Sequence, residues 1–335
     1  MTITGSPPTT RPARRVLRTV LLWVLLLPGA AWAVVRFGGW ERDSLVQLFA
    51  FTPYVAAWAV VPALLAFAAR RWLTAAVATV SAALLIVCVL PRSMADHDRG
   101  PQTGVTLHVL TGNMYVGHAD PATIVRLVRE NDVAVLALQE YTGAARTALA
   151  TAGLDQLLPY SSLALPIGGD ENGATGSALY SRYPIVAPGV RHNGGGFQQA
   201  YGTIQPPGAR PVTFESAHPL APFAVDVLPK WRSDLQAQPH AEASGPLRVL
   251  MGDFNSTLDH RALRTVVSHG YRDAADATGK GLIGTWGPYA DPRLPPVTID
   301  HVLVDERIGV ADVSVHGLPH SDHRAVLADL RLPNP

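Results

Sequence analysis

The sequence predicts a mixed α/β layered domain placed behind three membrane-spanning helices. Long uncharged tracts fill the first 92 residues, and polar, motif-bearing sequence follows. In that second part, short apolar runs of strand type intermix with helical spacing, yet several runs are separated only by loops, which suits a layered α/β fold. The apolar runs also end repeatedly in a carboxylate or an amide, as at Asn113, Glu140 and Asp253.

Charge divides the 335 residues in the same place. Up to Arg92 there are nine arginines and two acids, Glu41 and Asp43. From Ser93 onward 18 Lys/Arg face 24 Asp/Glu, so the overall balance of +1 hides a basic region joined to an acidic domain. Nucleic-acid binders gain affinity by setting clustered Lys and Arg against phosphates. Here the second part holds only two lysines, Lys230 and Lys280, which makes duplex DNA a poor partner. The single cysteine, Cys88, allows no disulfide within the chain.

Three stretches, about 19–35, 44–69 and 72–90, carry no charge, and about 17–25 apolar residues suffice to cross a bilayer. Their prolines, Pro28, Pro53 and Pro62, are tolerated in membrane helices. The alternative for the first stretch is a cleaved signal peptide, with Arg11, Arg14, Arg15 and Arg18 as its basic region and Ala31-Trp32-Ala33 as its cleavage site. Arginines on the cytoplasmic side, at the N-terminus and at Arg70-Arg71, place everything after Arg92 outside under either reading. The expected layout is an anchor over 1–92, a polar linker over 93–103 and a soluble domain over 104–335, the part that carries the motifs.

Along that domain, Val105 to Leu110 reads as a strand ending at Thr111-Gly112-Asn113. Pro121 to Asn131 has helical spacing at Ile124, Leu127 and Val128. Val133 to Leu138 is a fully apolar run leading to Glu140, and Ala144 to Ala152 suggests a second helix. Ser177 to Tyr180, Val212 to Ser216 and Leu247 to Met251 are strand candidates. His260 to Ser268 looks helical with Asp259 as N-cap. Val297 to Val304 and Ala325 to Leu330 close the chain as strands.

Several polar residues stand out. Glu140 leaves a strand too apolar to be exposed, and Mg²⁺ favours a few carboxylates with retained waters. In Gly252-Asp253-Phe254-Asn255 an acid and an amide lie two residues apart, on one side if extended; the plain alternative is an Asx turn. Asp300, inside an apolar strand, needs a partner. His323 is the natural one, because His301 next door should face the opposite way. His218 and Asn113 read as ordinary loop and turn residues when taken alone.

Taken together these residues resemble the endonuclease/exonuclease/phosphatase superfamily, which includes DNase I, abasic-site endonucleases, neutral sphingomyelinases and inositol polyphosphate 5-phosphatases. The motifs follow that family's order from Asn113 through Gln139-Glu140, Gly176 to Ile185, His218-Pro219, Gly252 to Asn255 and Ile299 to His301, ending at Ser321-Asp322-His323. The resemblance implies a four-layer α/β sandwich, two packed sheets flanked by helices, with the site at one sheet edge. It implies Glu140 as the main Mg²⁺ or Mn²⁺ ligand, with Asn113 and Asp322 nearby. Asp253 would orient or deprotonate the attacking water, and Asn255 would hold a phosphate oxygen. His323, paired with Asp300, would stabilise charge on the phosphoryl group, with His218 as a second contact. Some relatives carry a carboxylate where this chain has Tyr115, so both a one-metal and a two-metal site stay open. The membrane-anchored arrangement is also similar to actinomycete membrane proteins linked to glycopeptide-antibiotic resistance. That likeness implies a phosphorylated substrate, lipid-linked or small, in the cell envelope. An extracellular nuclease and a non-catalytic phospholigand sensor are the rival expectations.

Overall fold

The computed structural model describes residues 11–168, 170, 173–287 and 294–335. It divides into two compact units: residues up to Glu41 together with Phe51–Val89, and Arg42–Ala50 together with Leu90–Pro335.

The first unit holds helices α1 (Arg11–Gly38), α3 (Thr52–Ala68) and α4 (Trp72–Val89), while α2 (Leu45–Phe49) lies in the second. Small side chains fill the helix contacts: Ala33, Ala56, Ala59 and Ala82 cluster with Leu85. Large apolar side chains point away, with Leu73 73% and Val87 69% exposed. Small residues between helices and large ones outside is the arrangement helices adopt in lipid. Two helical stretches, Arg14–Gly38 and Trp72–Ser93, are long and apolar enough to cross a membrane. The middle stretch differs from the expected 44–69 span. It breaks after Phe49, and only the 17 residues of α3 form an apolar helix. The reason is that Val46 is fully buried in the core of the second unit, so α2 spends its apolar face there.

In the second unit the chain continues through β1 (Val105–Asn113), α5 (Pro121–Glu130), β2 (Val135–Gln139), α6 (Gly143–Thr151), α7 (Leu154–Leu157), β3 (Tyr160–Ala164) and β4 (Ser177–Ser181). Next come β5 (Ile185–His192), β6 (Gln198–Ile204), β7 (Val212–Ala217), α8 (Leu228–Gln236), β8 (Leu247–Asp253), α9 (Arg261–Val267) and β9 (Tyr271–Asp273). The last elements are α10 (Ala274–Ala277), β10 (Asp300–Asp305), β11 (Gly309–Gly317) and β12 (Arg324–Leu332). The strands make two six-stranded sheets, ordered β11-β12-β1-β2-β4-β3 and β5-β6-β7-β8-β10-β9.

The side-chain alternation of a strand explains the layers. In β2, Val135 and Ala137 face the core between the sheets, while Leu136 and Leu138 join Ile124, Val128 and Leu149 beneath α5 and α6. In β8, Val249 and Met251 face the same inner core, and Leu250 packs with Trp231 and Leu263 under α8 and α9. Strands buried on both faces read as continuous apolar runs. The result is helices, sheet, sheet, helices: two packed mixed sheets between helical layers.

Two local expectations change. The N-cap of α9 is His260, while the Asp259 carboxylate takes both guanidinium nitrogens of Arg92, each at 2.8 Å. The segment expected to be a linker is laid onto the domain. Asp96 N donates to Ala277 O at 2.9 Å, and Val310 N donates to Arg99 O at 2.8 Å.

Candidate active site

Strand direction brings the polar strand ends to one edge. β1 and β2 run parallel with Asn113 beside Gln139, and β7 and β8 run parallel with Ala217 beside Gly252. Asn113, Glu140, His218 and Asp253 therefore leave at the C-terminal ends of their strands. β10 runs antiparallel to β8, which pairs Asp300 with Asp253, and β12 runs antiparallel to β1, which brings His323 to the same edge just before it begins.

Asn113 is the hub. Its amide nitrogen donates to Glu140 Oε1 and to Asp253 Oδ2, both at 3.1 Å. Its Oδ1 accepts from Tyr115 N at 2.9 Å, and the other Glu140 oxygen accepts from Val116 N at 2.7 Å. Asn113, Asp253, Asp300, His218 and His323 are all buried. Burial is the largest cause that raises the Glu140 carboxyl above the usual range, and nearby Asp322 adds to it. Burial likewise lifts Asp253 to about 7, against the opposing pull of His323.

His323 Nδ1 lies 2.9 Å from Asp300 Oδ2, while its Nε2 turns toward Asp253 at 3.6 Å and Asp322 at 3.9 Å. Burial works against its charge, but Asp300 and Asp253 outweigh that and raise it to about 10, so an imidazolium is held here. His301 takes the opposite side and pairs with Asp273 at 2.6 Å. His218 is neutral: burial pushes it down to about 3, and its Nδ1 has no hydrogen-bond partner among the described residues. Its Nε2 lies 3.8 Å from Asp253. The Asn255 backbone N–H donates to Asp253 Oδ1 at 2.8 Å, and its side-chain amide donates to Pro219 O at 3.0 Å.

All eight residues singled out in the sequence thus reach one edge. What the sequence did not disclose is their support. Trp286 Nε1 donates to Asp322 Oδ2 at 2.9 Å, and Thr285 Oγ1 accepts from Asp300 N at 3.0 Å. Gln199 Oε1 accepts from His218 N at 3.0 Å, while the Phe197 ring meets the His218 ring edge-on at 4.5 Å. Phe197 and Gln199 belong to a glycine-rich hairpin that carries no strand-like alternation, so nothing in the sequence flags them. A cavity of about 650 Å³ opens beside the site, lined by Tyr115, His320, Asp322, His323 and Arg324 among others.

Two observations bear on a metal ion. Asp322 Oδ1 is buried without a hydrogen-bond partner among the described residues, and its charge is felt by the Glu140 carboxylate nearby. The donors are oxygens in majority, the set preferred by Mg²⁺ and Mn²⁺. Asp253, Asp300 and His323 also present one ligand atom each within 4.8 Å of one another. In that trio His323 Nδ1 and Asp300 already satisfy each other. On the other side Glu140 accepts from Asn113 and from Val116 N, which leaves Asp322 Oδ1 as the unfilled acceptor there.

The sequence profile of the Endonuclease/Exonuclease/phosphatase family matches residues 110–323, more than half of the chain. The chain belongs to that family. Solved structures agree on the fold. A family member from Beutenbergia cavernae DSM 12333 superimposes with a TM-score of 0.52 at 18% identity, over 68% of this chain and 72% of that one. One from Leptotrichia buccalis C-1013-b gives 0.52 at 17% identity, over 68% and 100%. One from Bacteroides vulgatus gives 0.52 at 15% identity, over 68% and 100%. No curated protein matches the chain. Proteins of this family are typically hydrolases of phosphoester bonds and usually use a divalent metal; among the described residues Asp253, Asp300 and His323 are grouped closely enough to be a candidate site.

Proposed function

We propose that this protein is a membrane-anchored, extracytoplasmic phosphoester hydrolase that uses Mg²⁺ or Mn²⁺, with a lipid-linked or other small envelope phosphate as substrate. The observation that carries the reading is the meeting of Asn113, Glu140, Asp253, Asp322, His218 and the Asp300–His323 pair at one edge, with an orphaned Asp322 oxygen among them. Glu140, Asn113 and Asp322 would hold the ion, which when bound neutralises charge on the phosphate and positions it for in-line attack.

The other residues supply binding and proton transfer. Asp253, fixed by Asn113 and by the Asn255 N–H, accepts the proton of the attacking water. His323, kept protonated by Asp300, donates from Nε2 to the phosphoryl oxygens as negative charge builds on them. Neutral His218 contacts a phosphate or leaving-group oxygen. Asn255 offers its amide to a non-bridging oxygen while Pro219 O keeps it aimed.

Support for the membrane placement comes from the chain's own path. Arg42–Ala50 and Leu90–Pro335 fold as one body, so both lie on the same side of any membrane crossed by the segment between them. α3 and α4 would cross in and back out, and the basic N-terminus and Arg70-Arg71 would remain cytoplasmic.

The test is a phosphoester panel with the purified full-length protein. Release of phosphate or headgroup that needs Mg²⁺ or Mn²⁺ and disappears in Asp253→Asn supports the proposal. Silence across the panel with either metal rejects it in favour of a ligand-binding sensor. Plasmid cleavage comparable to the best small substrate, abolished in Glu140→Ala, would favour a nuclease, although the acidic domain argues against one.

A further inference from the structure

Two loops of the second unit, both beside segments that lead into apolar helices, expose apolar side chains. Phe223 is 68% and Val225 47% exposed on one, and Leu282 and Ile283 are 37% and 39% exposed on the other. Each loop is hydrogen-bonded to a segment that runs directly into an apolar helix. Gln47 Nε2 donates to Pro222 O at 2.8 Å, and five residues later α3 begins. Gly281 N donates to Arg92 O at 3.0 Å, and Arg92 lies three residues beyond the end of α4.

The two segments are fastened at adjacent positions. Val46 O receives His260 Nε2 at 2.7 Å, and Arg92 grips the carboxylate of Asp259. Both loops also lead into the site. The first starts at His218-Pro219, whose carbonyl holds Asn255. The second continues to Thr285 and Trp286, which hold Asp300 and Asp322.

From this we infer that Phe223, Val225, Leu282 and Ile283 form a rim that enters the surface of the bilayer holding the protein's own helices, bringing the catalytic edge to the level of the headgroup phosphates. The partner is a lipid surface. Chain continuity decides this, because the segments bonded to both loops become apolar helix within a few residues, too short a path to carry the loops far from the interface. The substrate class follows: an amphiphile whose phosphate lies at the membrane surface while its tail stays among the lipids. This rests on the hydrolase reading for the chemistry, but the rim itself does not.

The test uses full-length protein with Cys88→Ala in nanodiscs of phosphatidylcholine and phosphatidylglycerol. An environment-sensitive fluorophore is attached at Phe223→Cys or Ile283→Cys, with exposed Asp155→Cys on α7 as control and doxyl-labelled lipid as quencher. The rim predicts that the 223 and 283 labels lose roughly twofold or more of their fluorescence while the 155 label does not, as expected for side chains sunk into the interface. Quenching at 223 and 283 no greater than at 155 overturns it. Val225→Cys and Leu282→Cys take over if either first variant fails to fold. Phosphatidic acid in the same discs separates the two readings. Quenching without hydrolysis across the phosphoester panel removes the enzyme and keeps the rim. Hydrolysis with control-level quenching removes the rim and keeps the enzyme.

Discussion

Four non-glycine residues at the site adopt the left-handed backbone region: Tyr115 (φ 47°), Val116 (φ 57°), Glu140 (φ 53°) and Asn255 (φ 48°). Such conformations cost free energy, most of all for a β-branched residue like Val116, and persist only where surrounding contacts impose them. Here the Val116 N–H and Glu140 are fixed by each other, so the strain is spent on aiming the carboxylate. Replacing Asp253 by Asn should leave the fold intact and lower turnover by about 10²–10⁴-fold, the usual contribution of a general base, read from initial rates on whichever panel substrate is hydrolysed. Gly252→Ala tests the close approach of two strands. An added Cβ would lie 2.1 Å from Ala217 O on the neighbouring strand at φ +154°, and a loss of more than about 1 kcal/mol in denaturant unfolding is expected. Asp276 gives a pH signature away from the site. Burial, aided by Asp273, raises its carboxyl to about 6, so the fold binds a proton that the unfolded chain releases near 3.8. Stability therefore falls as pH rises across that window. Asp276→Asn should raise the melting temperature at pH 8 and change it little at pH 4.

At the scale of elements, the strands legible in the sequence are those buried on both faces, such as β2 and β10, whose residues are buried throughout. β5 was not legible, because at the sheet edge it is mostly half-buried or exposed. β6 hides because its buried residues include Gln198 and Gln199, and the amide of Gln199 is satisfied by Glu215 and Gln238 rather than by apolar packing. The polar stretch after α4 reads as a linker for a similar reason. Backbone and side-chain hydrogen bonds, the Asp98–Arg272 contact and, just before it, the Arg92–Asp259 ion pair hold it, and none of these leaves a hydrophobic pattern. That pair sets an expectation. Removing one partner of a buried ion pair typically costs about 3–5 kcal/mol, so Arg92→Ala should lower unfolding stability by that order. Residues 93–335 expressed alone lose Arg92 and the buried Val46 together and should melt well below the full chain by calorimetry.

For the whole molecule, the charge split argues against a nucleic-acid binder, since an acidic domain repels a polyanion unless its site overcomes that field. Activity should vanish with a chelator and return with Mg²⁺ or Mn²⁺, while the far-ultraviolet circular dichroism stays unchanged, because the two-sheet core does not depend on the ion. The same experiment run on plasmid DNA should show little cleavage at physiological salt.

The sequence by itself determined the mixed α/β class and the family motifs, and it pointed to the polar residues that the fold gathers at the candidate site, because strand burial and residue chemistry are both local properties. It also favoured His323 over His301 as partner of Asp300, since alternation along a strand fixes which way each side chain points. Tertiary structure alone decided that six distant strand ends share one edge, because strand order and direction are set by pairing between segments far apart in the chain. It alone decided that Val46 leaves the second apolar stretch for the core of the second unit and that Arg92 closes on Asp259. Those choices depend on which buried cavity or charge lies within reach after folding, and no single stretch of residues contains that information.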